Sequence, residues 1–354
     1  MRAKSLPLLV LLALSACQKN EPKPESTRKE SDTGAAKVEA IDPELAEAVA
    51  AASVESPTQQ AAPPQVEGGP PPDGVFAPGA ADKELARGAL PKITLGSEGA
   101  APKQLLGPGK AAGKLTGTIQ IAMQQDPRQG AIPVLLSVTI EPKKTEGGKD
   151  DKPVSLPVSV RVTGAKIDAP SVPKELDEQL AKLKGSKVEY SILPGGAGAG
   201  FRIDTPKGAP DEFKDVVRSL SDSLSLLTIP YPDKPLGAGA FFMVTSRDDF
   251  LGLDLVTYRM IKVKEVTAQG ATLDVSTKRY AANRSFDFPG LPPNIDRNLA
   301  EFQATSDGTV QYPLGALLPT QGEVSSVLAA QLGAKDVKQK AVLQFQTRAQ
   351  LDLK

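Results

Sequence analysis

Ala341-Val342-Leu343-Gln344-Phe345-Gln346-Thr347-Arg348-Ala349-Gln350-Leu351-Asp352-Leu353 decides the fold class. Ala341, Leu343, Phe345, Thr347, Ala349, Leu351 and Leu353 take every second position, and the residues between them are mostly polar. A period of two places one set on a buried face and the other in water, which is the signature of a β-strand. A bare edge of that length invites aggregation, so this strand must be paired on both sides or covered.

Working outward, the same alternation recurs. Val324, Ser326, Leu328, Ala330 and Leu332 alternate, as do Ile132, Val134, Leu136, Val138 and Ile140, and Val154, Leu156, Val158, Val160 and Val162. Leu115, Ile119, Ile121 and Met123 add a further strand. Short polar connectors, Asp126 to Gly130 and Thr145 to Pro153, predict an antiparallel meander. Ala240–Thr245, Leu253–Val263 and Thr272–Tyr280 are predicted strands, and Leu299–Thr305 and Thr309–Tyr312 flank a predicted turn at Ser306-Asp307-Gly308.

Two helices interrupt the strands. Val172, Leu176, Leu180 and Leu183 share one helical face, with Ser171 as cap and Gly185 as stop. The second runs from about Asp211 to Leu227, carries Phe213, Val216, Val217, Leu220, Leu224 and Leu227 on one stripe, and ends before Pro230 and Pro232. Between them Val188–Leu193 and Phe201–Thr205 flank a glycine loop, Gly195 to Gly200. The expected class is α+β and mainly β: antiparallel meander sheets forming a half-barrel or sandwich, with two amphipathic helices, over 105–354. The halves 105–235 and 236–354 look loosely alike.

Residues 17–104 read as a disordered tether. Residues 18–40 mix Lys and Glu with almost nothing apolar larger than Ala, and 55–80 hold seven prolines. Such composition cannot bury enough surface to offset ordering entropy. Ile41 to Val54 and Asp82 to Arg87 can form short helices, the first being either part of the tether or a partner-binding helix. As coil, about 85 residues reach about 50 Å.

The N-terminus explains what is tethered. Arg2 and Lys4 precede an apolar run from Leu6 to Leu14, too short to span a bilayer, which needs ~20 residues. A basic start, a short apolar core and small residues before a cut make a secretory signal over 1–16. Leu14-Ser15-Ala16-Cys17 resembles the lipobox of bacterial lipoproteins. The resemblance implies diacylglycerylation of Cys17, cleavage just before it, and acylation of the new amine. Two or more chains anchor stably where one binds marginally. Gln18, in place of an Asp, implies the outer membrane rather than the inner. The partner so implied is the membrane itself, through the lipid. The body of the chain also resembles uncharacterised envelope lipoproteins that carry a lid segment like Tyr231-Pro232-Asp233-Lys234-Pro235, a resemblance that implies no activity.

Composition excludes several chemistries. There is no His or Trp, and Cys17 is the sole cysteine. A His base, a Ser-His-Asp triad, a Cys nucleophile in the mature chain and His or thiolate zinc ligands are therefore out. With 42 basic and 42 acidic residues the net charge is zero, and aromatics are 4%, so a nucleic-acid partner is not expected. Gly107-Pro108-Gly109-Lys110-Ala111-Ala112-Gly113-Lys114 misses the P-loop spacing, and Gly195–Gly200 joins strand to strand rather than strand to helix. Ser171-Val172-Pro173-Lys174 matches the Ser-x-x-Lys of acyl-enzymes, but Ser-Asp-Asn and Lys-Thr-Gly are missing. Asp248, Asp249 and Asp254 lack EF-hand spacing and read as a polar turn. Asn283-Arg284-Ser285 is a chance glycosylation triplet.

No cofactor, catalytic residue or metal ligand is expected. The expected function is a membrane-anchored, non-catalytic binding or structural domain with a lipid or protein ligand. The alternative is an envelope hydrolase working with paired carboxylates, and a third reading is an assembly or spacer subunit.

Overall fold

The computed structural model describes residues 71–107, 113–124, 130–143, 155–193, 195–210, 213–250, 252–286, 295–316, 318–334 and 337–354. Cys17 and the lipobox Leu14, Ser15 and Ala16 lie outside these, as do Ile41–Val54, most of the Gly107–Lys114 segment and most of the connectors at 126–130 and 145–153.

Twelve strands form one antiparallel sheet. In chain order they are β1 (Lys92–Ser97), β3 (Leu115–Gln124), β4 (Ile132–Pro142), β5 (Leu156–Ile167), β6 (Lys187–Ile192), β7 (Gly198–Asp204), β9 (Phe241–Phe250), β10 (Leu253–Val266), β11 (Gly270–Ala281), β12 (Ile295–Pro313), β13 (Gln321–Ala334) and β14 (Val337–Leu353). Their order across the sheet is β1-β9-β10-β11-β12-β13-β14-β3-β4-β5-β6-β7. Two shorter strands, β2 (Ala100–Gln104) and β8 (Leu236–Ala238), pair apart from it. The helices are α1 (Ala80–Glu84), α2 (Lys174–Leu180) and α3 (Lys214–Leu227).

The fold is mainly β, as the alternation predicts. β14 pairs with β13 on one side, Leu328 opposite Phe345, and with β3 on the other, Ile119 opposite Leu351. It therefore joins two meanders, β9–β13 and β3–β7, into one sheet, and both contribute to one apolar core with α3. The halves 105–235 and 236–354 are two runs of a single sheet.

Each α3 stripe residue named above is buried: Phe213, Val216, Val217, Leu220, Leu224 and Leu227. Thr228 closes the helix, its hydroxyl donating to the Leu224 carbonyl at 2.7 Å, and prolines follow. α2 is shorter than its apolar stripe. It starts at Lys174 behind Pro173, ends in a 3₁₀ turn at Ala181–Leu183, and buries Leu180 and Leu183. Ser171 does not cap it, because the position before the helix is Pro173, which has no side-chain acceptor. Gly185 does stop it, with φ 96°, a left-handed conformation that other residues resist.

Three expectations are corrected. The folded unit begins near Pro71 rather than 105. Phe76 donates its N–H to the Ala281 carbonyl at 2.9 Å, and its ring meets Tyr280 edge-on. β1 pairs with β9 and β2 with β8, so Lys92 to Gln104 are sheet and ribbon, not tether. This stretch is poor in apolar residues, and its burial comes from surfaces that the later strands supply. The predicted helix at Asp82–Arg87 is the five-residue α1, two residues earlier.

The second correction is Ser306-Asp307-Gly308, which is no turn. β12 runs through it, with Asp307 opposite both Ser276 and Ser325. Pairing on both sides overrides the turn propensity. The third is that Asp248 and Asp249 belong to β9 and Asp254 to β10, which pair antiparallel with Phe250 opposite Leu253, so all three are strand residues rather than a polar turn.

Candidate functional site

The sheet face that carries α3 is not apolar throughout. One row of residues crosses it from strand to strand: Arg259 on β10, Thr277 on β11, Ser306 on β12, Ser326 on β13, Thr347 on β14 and Met123 on β3, each opposite the next. The adjacent row begins Ser246, Thr257, Arg279. On one side of this polar belt lies the main core, at Ile261, Val275, Val324 and Ile121. On the other lies a second apolar cluster with Leu255, Phe302, Ala330 and Leu332.

α3 lays its polar side over the belt. Asp222 pairs with Arg279 at 3.0 Å, both side chains nearly enclosed. Ser219 donates to the Met123 sulfur at 3.0 Å. Nη1 of Arg259 donates to the Ser225 and Thr228 carbonyls, at 3.0 and 3.1 Å, where the partial negative charge of a helix C-terminus gathers. The Tyr312 hydroxyl, from β12, donates to the Leu227 carbonyl at the same helix end.

Arg259 is 4% exposed and Arg279 is 8% exposed. Burial pushes the Arg259 guanidinium's pKa down, Arg279 adds to that, and Asp248 and Asp222 oppose it. The Arg279 guanidinium stands 5.3 Å from the Phe250 ring centroid. Among the described residues, four enclosed polar atoms here have no hydrogen-bond partner: Thr257 Oγ1, Arg259 Nε, Thr277 Oγ1 and Arg279 Nε. Native interiors hold few such atoms, and a cluster of them calls for an explanation.

Beside this cluster opens a cleft of about 760 Å³. Arg259 and Arg279 belong to its wall. Its sides are β7 with the glycine loop, the C-terminal half of α3, the end of the β9–β10 hairpin, and the strand-entry segment Arg87 to Pro91. β7 and β1 are the two ends of the sheet, so the cleft lies where one end, β7, faces the approach to the other. A volume of this size falls within the ~300–1,000 Å³ of ligand sites. A smaller cavity of about 80 Å³ adjoins it, sharing Arg218, Asp222, Phe250 and Arg279, and continues along the belt to Ser306, Ser326 and Thr347.

The carboxylates at the cleft are mostly engaged. Asp254 takes two hydrogen bonds from Arg247, at 2.8 Å each, and its pKa is lowered chiefly by them. Arg247 also reaches Asp82 at 2.5 Å and the Leu85 carbonyl at 2.8 Å, which straps α1 to the sheet. Asp249 pairs with Arg87 at 2.6 Å, and Asp248 accepts from Ser246 at 3.0 Å. Asp248, Asp249 and Asp254 thus serve arginines and a serine, and among the described residues no group of three or more metal-ligating side chains occurs.

The remaining sequence candidates are dispersed. Ser171 is exposed, and Lys174 pairs with Glu178 at 3.6 Å. Asn283 accepts the Ser285 N–H at 2.8 Å in a local turn. Tyr231 is buried against Tyr312 and Phe242, while Asp233 to Pro235 are exposed between α3 and β8. Of the predicted glycine loop Gly195–Gly200, the glycines that reach the cleft, Gly198 and Gly200, are not loop but the start of β7.

Alternation over Leu253–Val263 and Thr272–Tyr280 shows the strands but not the belt. The available signal was its interruption, with Thr257 and Arg259 following Leu253 and Leu255 at inward positions, and Thr277 and Arg279 following Leu273 and Val275. Among the described residues no helix is long and apolar enough to cross a membrane. Comparison of the chain with protein-family models, with curated proteins and with solved structures finds no match.

Proposed function

We propose that this chain is an envelope lipoprotein, anchored through acylated Cys17, whose β-rich domain binds a ligand in the cleft beside α3. The observation that carries the binding reading is the 760 Å³ cleft, set over two buried arginines rather than over a filled apolar core. The lipobox residues Leu14, Ser15, Ala16 and Cys17 support the anchor, and the location this favours is the outer membrane, facing the periplasm.

A carrier that swallows a lipid whole would need a large apolar cavity. The residues beneath α3 are buried in one apolar cluster, and the pocket adjoining the cleft is small, about 80 Å³. The cleft fits a ligand held at its polar end by the belt. The carboxylate-hydrolase alternative draws no support from Asp254, which is held ionised by Arg247 and so is not suited to donate a proton near neutral pH. The test is to purify the native protein from envelope extract, sequence its N-terminal peptide by mass spectrometry, and analyse what co-elutes. A fatty-acylated peptide starting at Cys17 and a stoichiometric co-eluting compound are expected. A native chain that starts at Met1 without acyl groups refutes the anchor, and an empty cleft that no envelope compound fills refutes the binding role.

A further inference from the structure

We infer that the cleft seats a ligand bearing an oxyanion, a carboxylate or a phosphate monoester, against Arg259 and Arg279. This rests on the cleft being a binding site and specifies the chemistry it selects.

Two guanidiniums are enclosed side by side. Thr257 lies opposite Arg279 and Thr277 opposite Arg259, so the arginines and threonines form a square on neighbouring strands β10 and β11. Arg279 has a carboxylate partner, Asp222. Arg259 has two neutral carbonyls and, among the described residues, no carboxylate within ion-pair distance. Taking a cation out of water is expensive unless an opposite charge accompanies it, so such arginines are retained where a counter-charge arrives.

The hydrogen bonds also leave nitrogens to spare. Arg259 uses Nη1 and Arg279 uses Nη2; both Nε atoms are enclosed and unpaired. Among the described residues Nη2 of Arg259 and Nη1 of Arg279 make no hydrogen bond, and both arginines line the cleft. Two charged donors on adjacent strands suit the two or three oxygens of a carboxylate or phosphate, and charge-assisted bonds in a dry site are the strong ones.

The rim suggests what the anion is attached to. Leu90 is 63% exposed and Ile203 is 41% exposed, and both line the cleft with Phe201 and Phe250. An anionic head on the arginines leaves an apolar body beside these four side chains. A single acyl chain with a carboxylate or phosphate head meets both demands; a free inorganic anion meets only the first.

The test uses the full chain carrying Cys17→Ser, so that its own acyl groups do not compete. Calorimetric titration compares laurate, dodecyl phosphate, dodecanol and inorganic phosphate, with circular dichroism to confirm that every variant is folded. Laurate and dodecyl phosphate should bind about tenfold or more tighter than dodecanol, the worth of one or two charge-assisted bonds. Arg259→Gln and Arg279→Gln should each erase that preference while leaving the affinity for dodecanol in place.

Inorganic phosphate binding as tightly as dodecyl phosphate supports the oxyanion and makes its source a small free anion; much weaker binding supports an amphiphile. If Arg259→Gln fails to fold for want of its helix contact, Arg279→Gln and the wild-type comparison decide. Equal affinity for laurate and dodecanol, unchanged in folded variants, overturns the oxyanion inference and leaves the binding cleft standing. No binding of any probe overturns both.

Discussion

Gly308→Ala tests the least expected strand segment. Gly308 sits in mid-β12, opposite Val275 on β11 and Val324 on β13. A Cβ added there would lie 2.3 Å from the Glu323 carbonyl oxygen, 2.7 Å from Val324 Cγ2 and 2.9 Å from Val324 Cα. The Val324 side chain can turn away, but the carbonyl and Cα belong to the partner backbone. Ordinary contact is at ~3.5–4.0 Å, so β13 must back off by about an ångström. Overpacking of this kind costs about 3 kcal/mol at the upper end of its usual range. Removing a glycine from the unfolded chain returns under ~1 kcal/mol, which leaves a net loss of about 2 kcal/mol.

With an unfolding entropy of about 2.1 cal/mol/K per residue, a folded unit of roughly 280 residues loses about 2 °C per kcal/mol. Gly308→Ala should therefore lower Tm by roughly 4 °C in a calorimetric scan. Gly208 has nothing within 4 Å of the corresponding Cβ, so Gly208→Ala serves as control and should be neutral or stabilising. If Gly308→Ala raises Tm as the control does, the segment is not packed between two strands and the reasoning fails.

Four further outcomes are expected. Arg247→Met leaves the nearly enclosed Asp254 carboxylate without its partner and cuts the strap to Asp82, so urea unfolding should show a loss of about 3–5 kcal/mol. Because Arg247 lowers the Asp254 pKa, that stabilisation is present above the unfolded value of about 3.9 and disappears as pH falls through the lower folded value; wild-type Tm should drop below about pH 4, more steeply than that of Arg247→Met. Leu220→Ala, fully buried on α3, should cost about 2–5 kcal/mol in the same urea assay. Cys17→Ser should abolish incorporation of labelled fatty acid into the protein and leave the 1–16 signal uncleaved, and unchanged labelling would refute lipid anchoring.

The strands were legible because inward and outward residues differ in polarity. β4 reads Val134, Leu136, Val138 and Ile140 inward, all buried, and α3 shows its stripe as plainly. What was not legible depends on neighbours remote in sequence. Val75 and Phe76 stand amid prolines and glycines, and only the surface offered by Val256, Ala281 and Ala282 makes burying them worthwhile. Ser-Asp-Gly signals a turn wherever the chain is free to turn, and β11 and β13 remove that freedom. The site was hidden more deeply. An arginine at an inward strand position looks like an error of phase, and its meaning appears only when register sets Arg259 beside Thr277 and Thr257 beside Arg279.

β14 holds two ladders together whose other members are far apart in the chain; Leu351 faces Ile119 across more than two hundred residues of intervening sequence. Closing so wide a loop is entropically slow, and topologies of high contact order fold late. Until β14 arrives the two meanders cannot join, so the sheet closes only when the last strand of the series is in place. The same delay leaves β13 and β3 as naked borders in the interim, and that interval is when the chain is most open to pairing with another copy.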